Sequence, residues 1–188
     1  MKHQIHIKSM VCPRCIMSVQ TILEDLNIPF SSVELGKVSM NGELSPTKKR
    51  ELELALNKVG FELLESDNAV LIAQIKNLII QQIHYNKDDL KINYSDYLAE
   101  KTKHPYNYLS RLFSEIEKNT IERYITKQKI EKIKKLLFND EKTIEEIAFE
   151  MKYSSSAYLS TQFKKETGMT PSEFKKLEHY NFQHLDNI

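Results

Sequence analysis

Apolar side chains recur at helical spacing along residues 143–177. Ile144, Ile147, Ala148 and Met151 share one face of a first segment, Leu159 and Phe163 one face of a second, and Phe174 and Leu177 close a third. Thr143 opens the first segment with Glu146 three residues on, so the hydroxyl and the carboxylate can each bond the other's backbone N–H in a capping box. Tyr153-Ser154-Ser155-Ser156 then breaks the period and supplies hydroxyls able to cap a second helix. Gly168 suits the left-handed backbone that ends a helix, and Thr170-Pro171-Ser172-Glu173 opens a short third one. The pattern predicts helix, turn, helix and a closing turn of helix over 143–174.

The same pattern occurs earlier, over 94–124. Leu98 and Ala99 stand where the second copy has Ile147 and Ala148. Tyr108, Leu109, Ser110, Phe113, Thr120 and Tyr124 then match Tyr158, Leu159, Ser160, Phe163, Thr170 and Phe174 at one constant offset. Between the copies, Ile125, Ile130, Ile133, Leu136 and Leu137 recur at helical spacing among Lys127, Lys129, Lys132, Lys134 and Lys135. That spacing predicts one long helix, a stiff connector that sets the distance between the units, with lysines suited to phosphate oxygens.

Residues 1–68 follow a different rhythm. Gln4–Lys8 alternates as a strand, Cys12 and Cys15 fall in the turn after it, and Ile16, Val19, Leu23 and Leu26 form one helical face. Ser32–Leu35 and Val38–Met40 flank Gly36-Lys37 as a hairpin. Ser45-Pro46 opens a helix bearing Leu52, Leu56 and Val59, Gly60 ends it, and Phe61–Leu64 gives a last strand. The order is βαββαβ. A further helix, marked by Val70, Ile72, Ile75, Leu78, Ile79 and Ile83, follows at once without a Gly, Ser or Pro linker, so strain can pass directly between the halves. The expected fold class is α+β: a ferredoxin-like domain over 1–68, an all-α region over 69–180 with helix-turn-helix units at 94–124 and 143–174, and a tail at 181–188.

Composition adds little to this picture. The 188 residues carry a net charge of +1, with eight basic and nine acidic groups up to residue 68 and nineteen basic against seventeen acidic beyond it. There is thus no bulk basic signal, and any attraction to a polyanion has to be local. A hydrophobic share of 40% suffices for two modest cores. The most apolar run, Ala69–Ile83, is interrupted by Gln74, Lys76 and Asn77 and is too short to span a bilayer; with no signal peptide visible, the expectation is a cytoplasmic protein with no membrane partner. No Ser/His/Asp set, phosphate loop or paired acidic site is visible, so no enzyme is expected.

The helical repeat resembles the AraC/XylS family of bacterial transcription factors over roughly residues 70–180. The stretch I-A-x-x-x-x-Y-S-S-S-x-Y-L-S-x-x-F-K-K-x-x-G-M-T-P-S-E-F carries most of the likeness. The resemblance implies double-stranded promoter or operator DNA as partner, with the two reading helices in successive major grooves. It places Asn107, Ser110 and Arg111, then Ser156, Ala157, Tyr158 and Thr161, at base edges. Arg111 is the only arginine on either predicted reading helix, and its planar fork matches the O6 and N7 acceptors of guanine. The plainer alternative is a solvated pair with Glu115 one turn on. Lys164 and Lys165 suit phosphates, which set register and affinity. Lys118 stands where the family's first unit usually has Gly, which predicts a tighter or less regular helix end.

Residues 1–66, with Met10-Val11-Cys12-Pro13-Arg14-Cys15 after the first strand and Gly60-Phe61 after the second helix, resemble the heavy-metal-associated domain of copper chaperones and metal-transporting ATPases. The resemblance implies a soft cation on Cys12 and Cys15, Cu(I) first, Zn(II) or Hg(II) next, with the methionine packed beneath the loop. Ser9 in place of the usual Gly and Pro13-Arg14 inside the pair depart from the pattern and leave metal identity open.

Chemically, two residues between the cysteines let both sulfurs converge on one ion, while a helix N-terminus and Arg14 favour thiolate. Two thiolates hold Cu(I) or Hg(II) linearly, whereas a closed zinc site needs two more ligands. His6 alternates with Ile5 and Ile7 and points to the other face of the sheet. Met10, Met17 and Met40 are expected in the core. Three readings of the pair stay open: soft-metal sensing, dithiol/disulfide redox sensing, and a retained scaffold for partner contact. The expected function is a metal-responsive transcriptional regulator, with a homodimer and a metal-donor protein as further partners. The alternative from another class is a metallochaperone-like carrier whose helical half binds a protein.

Overall fold

The computed structural model describes residues 3–86, 90, 92–139, 142–177, 179–180 and 185. The expected tail, 181–188, lies outside them except for Leu185. The first part runs β1 (His3–Lys8), α1 (Pro13–Asp25), β2 (Phe30–Glu34), β3 (Lys37–Met40), α2 (Pro46–Lys58) and β4 (Glu62–Leu64). Its strands form a single antiparallel sheet in the order β2-β3-β1-β4. Period-two alternation turns Ile7 of β1 into a core shared with Val19 and Leu23 of α1 and Leu52 and Leu56 of α2. Ser45 caps α2 by accepting from the Lys48 N–H, with Pro46 in the first turn.

The element order is the one the hydrophobic pattern predicts, with local differences. β2 begins at Phe30 because an irregularity between Phe30 and Ser32 lets it pair with Met40. Met10 and Met40 are buried, but Met17 is 64% exposed: it lies midway between the buried Cys15 and Val19, on the outer side of α1. Val59 is 51% exposed because it follows the last turn of α2, beyond the stripe that Leu52 and Leu56 bury.

The junction helix α3 (Asp67–Ile80), capped by the Ser66 hydroxyl on the Ala69 N–H, presents three faces. Leu71, Ile72, Ile75 and Ile79 enter the core of the helical part. Ile80 closes the core of the sheet part, in one cluster with Met10, Val11 and Cys15. Val70, Ala73, Gln74 and Asn77 face the second side of the sheet across a cavity of about 410 Å3 that His6 and Gly36 also line. The approach is close there: a Cβ on Gly36 would lie 2.5 Å from the Asn77 amide nitrogen. α3 ends in a wider π-turn, Gln81–Tyr85.

The helical part comprises α4 (Tyr94–Thr102), α5 (Tyr106–Glu117), α6 (Ile121–Phe138), α7 (Ile144–Glu150), α8 (Ser156–Thr167) and α9 (Pro171–Phe174). α9 stops at Phe174, so Leu177 lies past its end. The repeat seen in the sequence is a repeat of packing. Leu98, Leu109, Phe113 and Tyr124, and their counterparts Ile147, Leu159, Phe163 and Phe174, are each at most 1% exposed within one core. The ring pairs Phe113–Tyr124 and Phe163–Phe174 have centroids 5.6 and 5.5 Å apart. Thr120 and Thr170 cap α6 and α9 in the same way, and Thr143 with Glu146 forms the expected capping box on α7.

The backbone repeats as well. Lys103 and Lys152 take left-handed conformations, φ 60° and 57°, in the turns before α5 and α8. Lys118 does the same at the end of α5, φ 53°, where Gly168 has φ 83° at the end of α8. The end of α5 is therefore neither tighter nor less regular than that of α8. Lys118 accepts the cost of a left-handed side-chain-bearing residue, about 1 kcal/mol or more, to keep the same geometry.

Candidate functional site

The second helices of the two units, α5 and α8, bury one side and expose the other. On α5 the exposed stripe includes Asn107 and Arg111, with Ser110 half-buried beside them. On α8 it is Ala157, Tyr158, Thr161, Lys164 and Lys165, with Ser156 half-buried at the helix start. All nine sequence-derived DNA-facing residues thus lie on the two reading helices, and none is sealed in the core. Arg111 is exposed, and among the described residues it forms no ion pair with Glu115, so its fork is free for an external acceptor.

Each reading helix is braced at its first turn by an aromatic pair. Tyr108 lies against His104 with centroids 5.4 Å apart, and Tyr158 against Tyr153 at 5.8 Å. Lys129 of α6 extends its ammonium over the Tyr153 ring, 5.6 Å from the centroid, and donates to the Met151 carbonyl at 3.2 Å. Burial, with the Tyr158 hydroxyl and Glu166 nearby, pushes the Tyr153 phenol up to about 12. His104 and Tyr153 were not among the expected site residues. Their signal in the sequence is an aromatic ring four or five residues ahead of Tyr108 and Tyr158 in both copies.

The connector α6 spans about 27 Å at 1.5 Å per residue. Three of its five lysines are turned to neighbouring elements, which corrects for them the expectation that they reach phosphate. Lys129 is bound inward as described, and burial together with Lys152 lowers its pKa. Lys132 donates to the His84 carbonyl at 3.5 Å. Lys134 is buried, pairs with Glu131, donates to the Tyr180 hydroxyl at 3.0 Å and lies over the Tyr180 ring. These three groups tie α6 to its neighbours because the helix is central and much of its polar stripe is itself covered; Lys127 is half-buried and Lys135 exposed.

In the sheet part, β1 leads into the dithiol. Cys12 is the N-cap of α1 and Cys15 lies in its first turn, with their Sγ atoms 3.1 Å apart and both thiols free. Burial works against ionisation of Cys12, yet the Cys15 thiol, the backbone N–H groups of Cys15 and Arg14, and the Arg14 charge bring its pKa below that of an ordinary cysteine. Burial, and then the bond to Cys12, push Cys15 up. Met10 is fully buried beneath this loop. Among the described residues no cluster of three or more His, Cys, Asp or Glu could hold a metal ion. His6 does not join the thiols; its ring lines the cavity between sheet and α3, where burial and Lys37 lower its pKa.

The π-turn connects the dithiol loop to α6, on which the first reading helix packs. Ile80 packs with Cys15, and Tyr85 at the end of the turn feels the charges of Cys12 and Cys15. His84 Nε2 lies 3.0 Å from Gln128 Oε1, and Gln128 Nε2 donates to the Tyr124 hydroxyl at 3.0 Å and to the Leu185 carbonyl at 2.7 Å. Tyr124 packs on Phe113 of α5. Lys76 of α3 reaches Glu117 at the end of α5, 3.5 Å away, and lies over the Tyr124 ring. No described helix is long and apolar enough to cross a membrane.

Residues 98–177 match the protein family described as Helix-turn-helix domain. The chain is 31% identical over 86 residues to the melibiose operon regulatory protein of Escherichia coli K12, covering 46% of this chain and 28% of that protein. It is 32% identical over 105 residues to an uncharacterized HTH-type transcriptional regulator in the cgkA 5' region of Pseudoalteromonas carrageenovora, covering 56% of this chain and 59% of that protein. The chain thus spans well under two thirds of either relative. Its helical fold is similar to a transcriptional regulator from Chromobacterium violaceum described as an AraC-type DNA-binding domain-containing protein. That likeness has a TM-score of 0.50 at 18% identity over 59% of this chain and 94% of the other. Residues 98–177 thus form a helix-turn-helix region, and the helical part shares its fold with that regulator.

Proposed function

We propose that this chain is a sequence-specific transcriptional regulator that binds double-stranded DNA through α5 and α8 and responds to a soft metal ion, Cu(I) first, held by Cys12 and Cys15. One observation carries the DNA reading: two units with the same buried residues, caps and left-handed turns each leave one reading helix with an exposed stripe, bearing Asn107 and Arg111 on α5 and ending in Lys164 and Lys165 on α8. Arg111 and Asn107 supply hydrogen bonds to purine edges, while Lys164 and Lys165 neutralise phosphates. Titrating the full chain into duplex DNA at rising salt tests this. Affinity that falls steeply with salt and distinguishes sequences supports it; equal binding to all sequences refutes it.

The βαββαβ order and the sheet order β2-β3-β1-β4 support a ferredoxin-like, heavy-metal-associated reading of residues 1–68. Two thiols facing each other, one of them favoured as thiolate, suit a linearly held soft cation, which when bound supplies positive charge and a link between the two sulfurs. Ile80 and the π-turn then offer a route from the loop to Gln128, Tyr124 and α5. Metal changes DNA affinity only if it binds the DNA-competent arrangement and its alternative unequally. Operator titrations with and without Cu(I), on the native chain and on Cys12→Ser, test the coupling; identical affinities in all arms refute it.

The split between the thiols, Cys12 lowered and Cys15 raised across 3.1 Å, favours a second reading as a dithiol/disulfide sensor. In that case DNA affinity follows thiol oxidation state in metal-free buffer.

A further inference from the structure

The two reading helices differ in the chemistry of equivalent positions. Ala157 and Thr161 of α8 occupy, at the repeat offset, the places of Asn107 and Arg111 of α5, and all four are exposed. On α5 these positions carry an amide and a guanidinium. On α8 they carry methyl groups and no free donor, because the Thr161 hydroxyl donates to the Ala157 carbonyl at 3.0 Å. Ser160 is spent in the same way on the Ser156 carbonyl at 2.8 Å. What faces outward at 157 and 161 is therefore an apolar patch one helical turn long, continued by the ring of Tyr158, which Tyr153 braces.

A major-groove reader with amide and guanidinium selects purines by paired hydrogen bonds, whereas one with methyl groups recognises the 5-methyl of thymine by apolar contact. We infer that this chain reads two chemically different half-sites: a hydrogen-bonded one under α5, containing guanine or adenine, and a thymine half-site under α8 that Ala157 and Thr161 recognise through the 5-methyl group. The inference rests on the DNA-binding reading above and adds the determinant of its second half. It also accounts for the absence of arginine, asparagine and glutamine from the exposed stripe of α8.

The test starts from duplexes enriched out of a random pool by the full-length chain. The half-site under α5 is identified as the one whose preference Arg111→Ala relaxes. In the other half-site each thymine is replaced in turn by deoxyuridine, which removes only the methyl group. Binding is expected to fall about fourfold per contacted methyl, with no change for replacements under α5. Thr161→Ser, which keeps the hydroxyl bond and removes the methyl, is expected to bind the thymine duplex about fourfold more weakly and to ignore deoxyuridine at its own contact. Enriched sites with no thymine under α8, or with thymines indifferent to deoxyuridine, overturn the inference while selective binding still upholds the DNA reading. A pool with no enrichment overturns both.

Discussion

Burial of His84 at the junction makes the fold sensitive to acid in a calculable way. Desolvation, opposed by the bond to Gln128 and reinforced by Lys132 and Lys135, lowers its pKa from 6.5 to about 4. Because Gln128 donates from Nε2 to Tyr124 and Leu185, its Oε1 is left as acceptor, and His84 is held neutral with the proton on Nε2. In the unfolded chain the ring titrates at its ordinary value. The unfolded state therefore takes up the extra proton between about pH 6.5 and 4, and stability present above pH 6.5 is lost as pH falls through that window. Over the whole window the loss is about 3 kcal/mol, and about 2 kcal/mol is gone by about pH 5. Urea unfolding of the native chain and of His84→Gln at about pH 7.5 and 5 isolates this share, since His84→Gln keeps every other titrating group. The native chain is expected to lose about 2 kcal/mol more than the variant over that interval. Equal losses in the two proteins refute the assignment of a neutral, buried His84.

Four further outcomes follow from the same structure. Arg111→Ala is expected to cost about 1–3 kcal/mol of binding to a selected duplex and to relax preference at one base pair, read from competition titrations. Lys118→Gly removes a left-handed side-chain-bearing residue but loosens the unfolded chain, so a net gain of about 0.5 kcal/mol in unfolding free energy is expected from urea titration; a loss contradicts the strain at that helix end. Glu131→Ala leaves the buried Lys134 ammonium without its carboxylate, held by the Tyr180 hydroxyl and ring alone, and is expected to destabilise by about 3 kcal/mol in the same assay. Because Cys12 is the lowered and more accessible thiol, alkylation at neutral pH is expected first at Cys12, mapped by mass spectrometry of a partially modified sample.

What the sequence displayed was whatever depends on period and local chemistry. Thr143 with Glu146, Thr170 with Glu173 and Ser45-Pro46 mark helix starts because the capping atoms lie within three residues of the backbone they satisfy. The Leu, Phe and Tyr positions of the two units are visible because each unit buries the same stripe. What depends on distant partners was hidden. Lys129, Lys132 and Lys134 read as phosphate-facing until the π-turn, the Met151 carbonyl and Tyr180 are seen to engage them. Gln128 is fully buried although nothing in its neighbourhood along the chain distinguishes it from an exposed glutamine. Left-handed Lys103 and Lys152 were equally hidden, since lysine gives no local hint of positive φ, whereas Lys118 was marked by Gly168 at the matching position of the repeat. At the candidate DNA face the residue types were legible, whereas the bond from the Thr161 hydroxyl to the Ala157 carbonyl, which takes up the donor that position could offer a base, required coordinates.

The central claim is that two reading helices, fixed by α6, act on one duplex. It is tested most directly by measuring the affinity of the full-length chain for an enriched duplex and for the same duplex with about half a helical turn, roughly 5 base pairs, inserted between the half-sites. Rotating one half-site to the far side of the helix is expected to abolish the contribution of that half-site and cost at least tenfold in affinity, with about 10 inserted base pairs also failing because α6 does not stretch. Unchanged affinity after the short insertion would contradict a rigid tandem reader.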